Sequence, residues 1–102
     1  MATMLMAGID GIKNQIDPTE AGFGPINEDV FSWPEEKRAT IRSLPTSLDM
    51  ALRALEEDHD FLLQGGVFSE EIIAEWIRAK RCEETQIRTR PHPYEIELYF
   101  DL

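Results

Sequence analysis

The sequence contains little cysteine, and this scarcity limits both its covalent structure and its chemistry. Cys82 is the only cysteine among 102 residues, so an internal disulfide is impossible. A reducing compartment is then the simplest expectation, and we predict a cytoplasmic location. The sequence shows no obvious histidine-based dyad for this thiol, which we therefore expect to be unreactive.

Long apolar runs are also absent. No stretch approaches the roughly 20 residues that cross a bilayer, so we predict no membrane partner. The apolar stretch Met4–Ala7 has no basic residue before it and no long apolar continuation, which argues against a secretory signal. It is typical instead of a buried helix entered midway. This pattern predicts that the chain is a piece of a larger domain.

Positive charge is scarce as well. Ten basic residues accompany twenty acidic ones, which gives a formal net charge of -10. Such a chain repels phosphate backbones, so we predict no nucleic-acid partner. At 102 residues it is one domain or part of one, with room for only a small core.

No group of residues has the spacing of a catalytic or ligand-binding motif. Glu56–Asp60 places five oxygen and imidazole ligands together, but we interpret this stretch as a solvated helix end, with a divalent-cation site as the weaker alternative. Gly65 and Gly66 lack the following Lys and Ser or Thr of a phosphate loop and are interpreted as a hinge. His92 stands between two prolines and is expected to brace a turn.

The pattern of apolar residues predicts a mainly α fold. Ser69 is a suitable N-cap for a long helix over 69–90, which ends before Pro91. Its apolar stripe, expected to be buried, consists of Ile72, Ile73, Trp76 and Ile77. Thr46 is predicted to open an earlier helix, with Asp49 in a capping box. The full predicted division is a helix at 1–16, a loop with a short helix at 17–45, helices at 46–64, the long helix at 69–90 and a tail at 92–102.

The tail has two interpretations. Ile96, Leu98 and Phe100 alternate with polar or aromatic residues, which favours a strand. Pro93, however, suits the first turn of a helix, and a lone strand has no obvious partner here. An amphipathic chain end can dock onto another subunit or pack on its own domain, and the sequence leaves both possibilities open.

Four blocks of sequence resemble a known family in their order and spacing: Met4–Ile12, Leu48–Leu55, Phe61–Leu62 with Gly65–Phe68, and Arg90–Tyr99. Together they resemble the C-terminal part of bacterial type I glutamine synthetase, over essentially the whole chain. The resemblance implies a cytoplasmic enzyme that uses ATP to activate glutamate as γ-glutamyl phosphate, which ammonia then attacks. It also implies two divalent cations, Mg or Mn, and subunits arranged in two face-to-face six-membered rings.

The family's metal-holding glutamates and histidine, and its phosphate-binding arginines, belong to segments upstream of the block at Met4–Ile12. None of them is carried over to this chain. We therefore expect no catalytic, cofactor-binding or metal-binding residue and no cofactor here, and we expect the chain alone to be inactive. The implied partners are the N-terminal and catalytic portions of a glutamine synthetase and neighbouring subunits.

Two features of the family correspond to particular positions. Its adenylylated tyrosine matches Phe31, which has no hydroxyl, so modification there is excluded. Its last residues form a helix that reaches the opposing ring, which implies a helical tail with subunit contacts at Pro93, Tyr94, Ile96, Leu98, Tyr99 and Phe100. The alternative hypothesis is a stand-alone, non-catalytic interaction module that docks onto glutamine synthetase rings.

Overall fold

In the computed structural model, which describes residues 1–101, the chain is helical and contains no strand within that range. The prediction of a mainly α fold with a helical tail is confirmed. Leu102, the last residue of the predicted tail, lies outside the described residues. The helices are α1 (Ala2–Lys13), α2 (Glu35–Arg38), α3 (Leu48–Glu57), α4 (Asp60–Leu63), α5 (Glu70–Arg88) and α6 (Pro93–Tyr99). Short 3₁₀ turns lie at Val30–Ser32 and Gln64–Gly66.

The core lies where α3, α4 and α5 meet. Its buried side chains are between 3% and 7% exposed: Leu52, Leu62, Ile73 and Ile77. Partly buried neighbours extend it to α1 and to the segment before α5: Met6, Leu55, Phe61, Leu63 and Phe68. This is a small core for a chain of 102 residues, because a domain of that size ordinarily buries most of the surface its unfolded chain exposes.

Side-chain caps fix the starts of the two longer core helices. The Ser69 hydroxyl accepts a hydrogen bond from the Ile72 N–H at 3.3 Å, as predicted for α5. The prediction that Thr46 opens α3 is wrong by one residue. Ser47 is the N-cap, since its backbone is extended and its hydroxyl accepts from the Met50 N–H at 3.2 Å. Asp49 therefore sits one position too early for a capping box, and it pairs with Arg53 at 2.9 Å.

Two successive glycines turn the chain from α4 into α5. Gly65 has φ 70° and Gly66 has φ 67°, both in the left-handed region that residues with a side chain rarely adopt. The left-handed conformation thus extends over both glycines. The turn brings the N-terminal end of α5 beside the corner between α3 and α4.

The apolar stripe of α5 is only half covered. Ile73 and Ile77 are buried, but Ile72 and Trp76 are each more than half exposed, so the expectation that the whole stripe is buried is wrong. The physical reason is the width of the contact. The core formed with Leu52 and Leu62 covers one edge of the stripe and leaves the other edge open.

The molecule is much more extended than a compact domain of its length. Its radius of gyration is 18.9 Å and its extents are 58 × 43 × 20 Å, whereas a compact chain of this length has a radius of gyration of about 13 Å. Residues 14–47 contribute nothing to the core, and large apolar side chains of this segment are exposed: Ile16, Phe23, Ile26, Phe31 and Leu44. Within residues 1–101, no helix combines the length and hydropathy that crossing a membrane requires.

Candidate functional site

The tail begins with a reciprocal cap. The backbone N–H of His92 donates to Glu95 Oε2 at 3.1 Å, and His92 Nδ1 accepts from the Tyr94 N–H at 3.1 Å. Pro93 occupies the first helical position, where the missing N–H costs no hydrogen bond. The prediction that His92 braces this turn is confirmed by these contacts. The cap explains why α6 begins where it does despite the strand-like alternation of its apolar residues.

The apolar side chains of α6, and of Phe100 at its C-terminal end, are largely exposed. Its apolar residues are between 51% and 81% exposed: Tyr94, Ile96, Leu98, Tyr99 and Phe100. Tyr94 and Leu98, four residues apart, share one face of the helix. Ile96 and Phe100, also four apart, share a different face. Because the apolar residues point in more than one direction, the tail is not a helix with a single face suited to its own core.

Phe31 lies on the 3₁₀ turn Val30–Ser32 and is 87% exposed. Asp29 organises this turn. Its Oδ1 accepts from the Phe31 N–H at 3.0 Å, and its backbone carbonyl accepts from the Ser32 hydroxyl at 2.7 Å. The turn therefore presents the aromatic ring of Phe31 to the surroundings.

A side-chain cluster that the sequence did not reveal braces the segment after this turn. Glu28 Oε2 accepts from Trp33 Nε1 at 2.8 Å and from Lys37 Nζ at 3.3 Å. The Lys37 ammonium also lies 4.0 Å from the centre of the Trp33 ring, a cation–π distance. The hydrogen bond from Lys37, followed by that from Trp33, lowers the pKa of Glu28 below its usual 4.5. Charge and hydrogen bonding together tie the turn to α2.

The acidic stretch Glu56–Asp60 forms protein contacts. His59 Nδ1 lies 2.7 Å from the Leu55 carbonyl oxygen, and His59 Nε2 lies 3.1 Å from Glu70 Oε2. Both ring nitrogens are thus engaged within the protein. Among residues 1–101, no three His, Cys, Asp or Glu side chains are arranged to hold a metal ion.

Long-range polar contacts join the core helices. Arg81 on α5 donates to Glu56 on α3 at 2.6 Å and lies 3.7 Å from Asp49. Gln64, after α4, donates to Asp10 on α1 at 2.8 Å. These pairs are 25 to 54 residues apart, so no local sequence signal announces them. They fix how α3 sits against α5 and how the end of α4 sits against α1.

Comparison with known proteins gives a consistent result over nearly the whole chain. The family model for the glutamine synthetase catalytic domain matches residues 1–99. The chain is 52% identical to the glutamine synthetase of Aquifex aeolicus over 101 residues, which is 99% of this chain and 21% of that protein. It is 48% identical to the glutamine synthetase of Mycolicibacterium smegmatis, covering 99% of this chain and 20% of that protein. The glutamine synthetase of Frankia alni is 47% identical, with shares of 99% and 21%.

The chain spans about a fifth of the length of these relatives, and the matched part is their C-terminal segment. The four sequence blocks, the helical architecture and the similarity over residues 1–99 agree. The chain therefore belongs to the glutamine synthetase family, as a C-terminal segment of its catalytic domain.

Proposed function

We propose that this chain supplies the C-terminal packing and contact segment of a cytoplasmic glutamine synthetase. The parent enzyme would join ammonia to glutamate with ATP, through γ-glutamyl phosphate and with two divalent cations. The observation that carries the proposal is the match to the glutamine synthetase catalytic domain over residues 1–99. The extended shape and the open edge of the α5 stripe support a role in packing against other parts of that enzyme.

We infer that the chain has no turnover by itself. Glutamate activation needs phosphate and metal ligands held together, and the family's ligands for these groups lie outside the matched blocks. His59, Glu56 and Glu70 are the best polar groups available, and all three are engaged in contacts between helices. Their arrangement favours a structural role.

The tail is the proposed subunit contact. Pro93 starts α6, and the five apolar residues after it are more than half exposed on several faces. A helix with apolar residues on several faces is stabilised when neighbours enclose it, and exposed aromatic residues are common anchors of interfaces. These properties support a tail that inserts between subunits, including subunits of the opposing ring.

Phe31 stands where the family's adenylylated tyrosine stands. A phenyl ring has no oxygen to attack the α-phosphate of ATP, so we infer that this position is not adenylylated. Phe31 is exposed, so the missing hydroxyl, and not burial of the side chain, is what prevents adenylylation at this position. The parent enzyme would then be regulated by a mechanism other than adenylylation at this position.

Fragment complementation tests this function. The Aquifex aeolicus relative, shortened by the C-terminal segment that matches this chain, is produced with and without the chain, and ATP-dependent glutamine formation is measured. We expect no activity from either piece alone and recovered activity from both together. Turnover by the chain alone would refute the inference of inactivity, and failure of the pair to recover activity would count against the packing role.

A stand-alone interaction module is the second candidate, favoured by the exposed apolar residues of α6. Such a module would bind complete glutamine synthetase rings. Mixing the chain with the full-length Aquifex relative distinguishes the two, with sedimentation as the measurement. Binding to complete rings favours the module, whereas binding only to the shortened relative favours the packing segment.

A further inference from the structure

His59 connects three elements of the fold through one imidazole ring. It lies at the corner between α3 and α4, and 19% of its side chain is exposed. Its Nδ1 is 2.7 Å from the carbonyl oxygen of Leu55 in the last turns of α3. Its Nε2 is 3.1 Å from the carboxylate of Glu70, the first residue of α5. The ring thus bridges the end of one core helix and the start of another.

Both partners of this ring are acceptors. A backbone carbonyl cannot donate, and neither can an ionised carboxylate. A neutral imidazole carries one N–H and can satisfy only one of the two, leaving a lone pair directed at the other oxygen. Only the imidazolium, with an N–H on each nitrogen, donates to both Leu55 and Glu70. The geometry therefore distinguishes the two protonation states of His59.

We propose that His59 is a proton-operated clamp, which holds the α3–α4 corner against the N-terminal end of α5 when protonated and releases one of its two contacts when neutral. This goes beyond the packing role of the segment, because it makes the strength of the packing depend on pH. The clamp needs no ligand and no second subunit.

The surrounding charges favour the protonated state. The groove beside His59 is lined by Glu56 from α3 and by Glu70, Arg78 and Arg81 from α5. Arg81 is paired with Glu56, and Arg78 is paired with Glu75 at 2.8 Å, so both cations near the ring have their own carboxylates. The acidic neighbours on the corner itself are Asp58 and Asp60.

α1 also packs against α4 and carries Asp10 and Lys13. Asp10 accepts from Gln64 at the far end of α4. With Glu70 unpaired to any arginine or lysine in residues 1–101, the carboxylate beside Nε2 is available to the imidazolium.

The hydrogen bond to the Leu55 carbonyl, followed by that to Glu70, raises the pKa of His59 above its usual 6.5. A raised folded-state pKa means that the clamp contributes its full stabilisation below pH 6.5, the value in the unfolded chain. The contribution is lost as the pH rises through the raised folded-state pKa. The corner should therefore be tightest in mild acid and loosest in mild alkali.

Loss of a His59 contact at the α3–α4 corner would also affect α1. Leu62 on α4 belongs to the core, and its backbone N–H donates to the His59 carbonyl at 2.9 Å. Gln64, two residues later, holds Asp10 of α1. A corner that opens at His59 thus weakens one core side chain and the polar link to the first helix together.

Amide hydrogen exchange of the full chain tests the clamp, with the Leu62 N–H as the reporter. Protection factors, corrected for the intrinsic pH dependence of exchange, are measured from about pH 5.5 to about pH 8.5, the range in which histidine titrates. We expect the protection of Leu62 to fall several-fold across this range in the unaltered chain and to stay level in His59→Gln. His92→Gln, which removes the other histidine, should keep the fall.

The proposal would be overturned if the protection of Leu62 in the unaltered chain did not change with pH. It would also be overturned if the protection of Leu62 fell as much in His59→Gln as in the unaltered chain. Glu70→Gln provides a second measurement that does not remove the histidine. The NMR titration midpoint of the His59 ring should move down in Glu70→Gln, because the carboxylate that favours the imidazolium is gone. An unchanged midpoint would also overturn the clamp.

Discussion

Ser47 and Thr46 are adjacent hydroxyl residues, but only Ser47 caps α3. The Ser47 hydroxyl accepts from the Met50 N–H, whereas the Thr46 hydroxyl contacts Met50 Sδ at 3.4 Å. We expect Ser47→Ala to lower the free energy of unfolding by about 0.5–2 kcal/mol, the usual effect of losing a cap. Thr46→Ala is the matched control and should change it by less than about 0.5 kcal/mol. Urea denaturation measures both, and equal losses would mean that Thr46 shares the cap.

Glu28 makes the brace behind the Phe31 turn sensitive to acid. Its lowered pKa means that the brace contributes stability above pH 4.5 and loses it as the pH falls through the folded-state value. In a Trp76→Phe background, Trp33 fluorescence should show an acid transition below pH 4.5. Glu28→Gln should abolish that transition and Glu35→Gln should retain it. A transition that survives Glu28→Gln would assign the response to another carboxyl.

At the scale of single residues, local signals were predictable and distant ones were not. The caps at Ser69 and His92 involve partners only two or three positions away, so the local sequence is enough to predict them. The contact of Arg81 with Glu56 requires two helices to be already packed. The same holds for the contact of His59 with Glu70, which lies on another helix. The other contact of His59, with the Leu55 carbonyl, spans only four residues.

Among the elements, α6 offers the clearest test of the subunit contact. In the complementation assay, we expect Leu98→Asp to reduce the recovered activity several-fold and to shift the assembly toward smaller species, because a charge would enter the enclosed face. Glu97→Gln, on the same exposed helix, is the control and should assemble normally. Analytical ultracentrifugation with activity measurement provides both readings. Normal assembly of Leu98→Asp would contradict the proposed contact at that residue.

The elements also show where sequence periodicity fails. Alternation in the tail favoured a strand, and that interpretation is wrong, because the Pro93 start and the His92–Glu95 cap favour a helix locally. A helix whose apolar residues lie on several faces leaves a pattern that also resembles a strand. The α5 stripe is the converse case. Its period predicted the helix correctly, but the period carries no information on whether one neighbour or two cover the stripe.

For the whole molecule, the small core makes single buried residues decisive. Leu52 is 3% exposed, and Leu52→Ala should cost about 2–5 kcal/mol, which is comparable with the entire stability of many small domains. Leu44 is 86% exposed, so Leu44→Ala provides a control of identical chemistry with little effect. Thermal and urea unfolding measure the difference. Similar losses at both positions would mean that Leu44 is covered in solution.

The paired glycines between α4 and α5 have a consequence for chirality. A Cβ added at Gly66 would meet no atom within 4 Å, so size is not what excludes other residues there. The obstacle is the sign of φ, +67°, which disfavours L-amino acids by about 1–2 kcal/mol. A D-alanine prefers a positive φ and would also restrict the unfolded chain. The corner that positions α5 therefore discriminates between mirror-image residues of equal volume, and a chain synthesised with D-alanine at this position should fold at least as stably as the natural one.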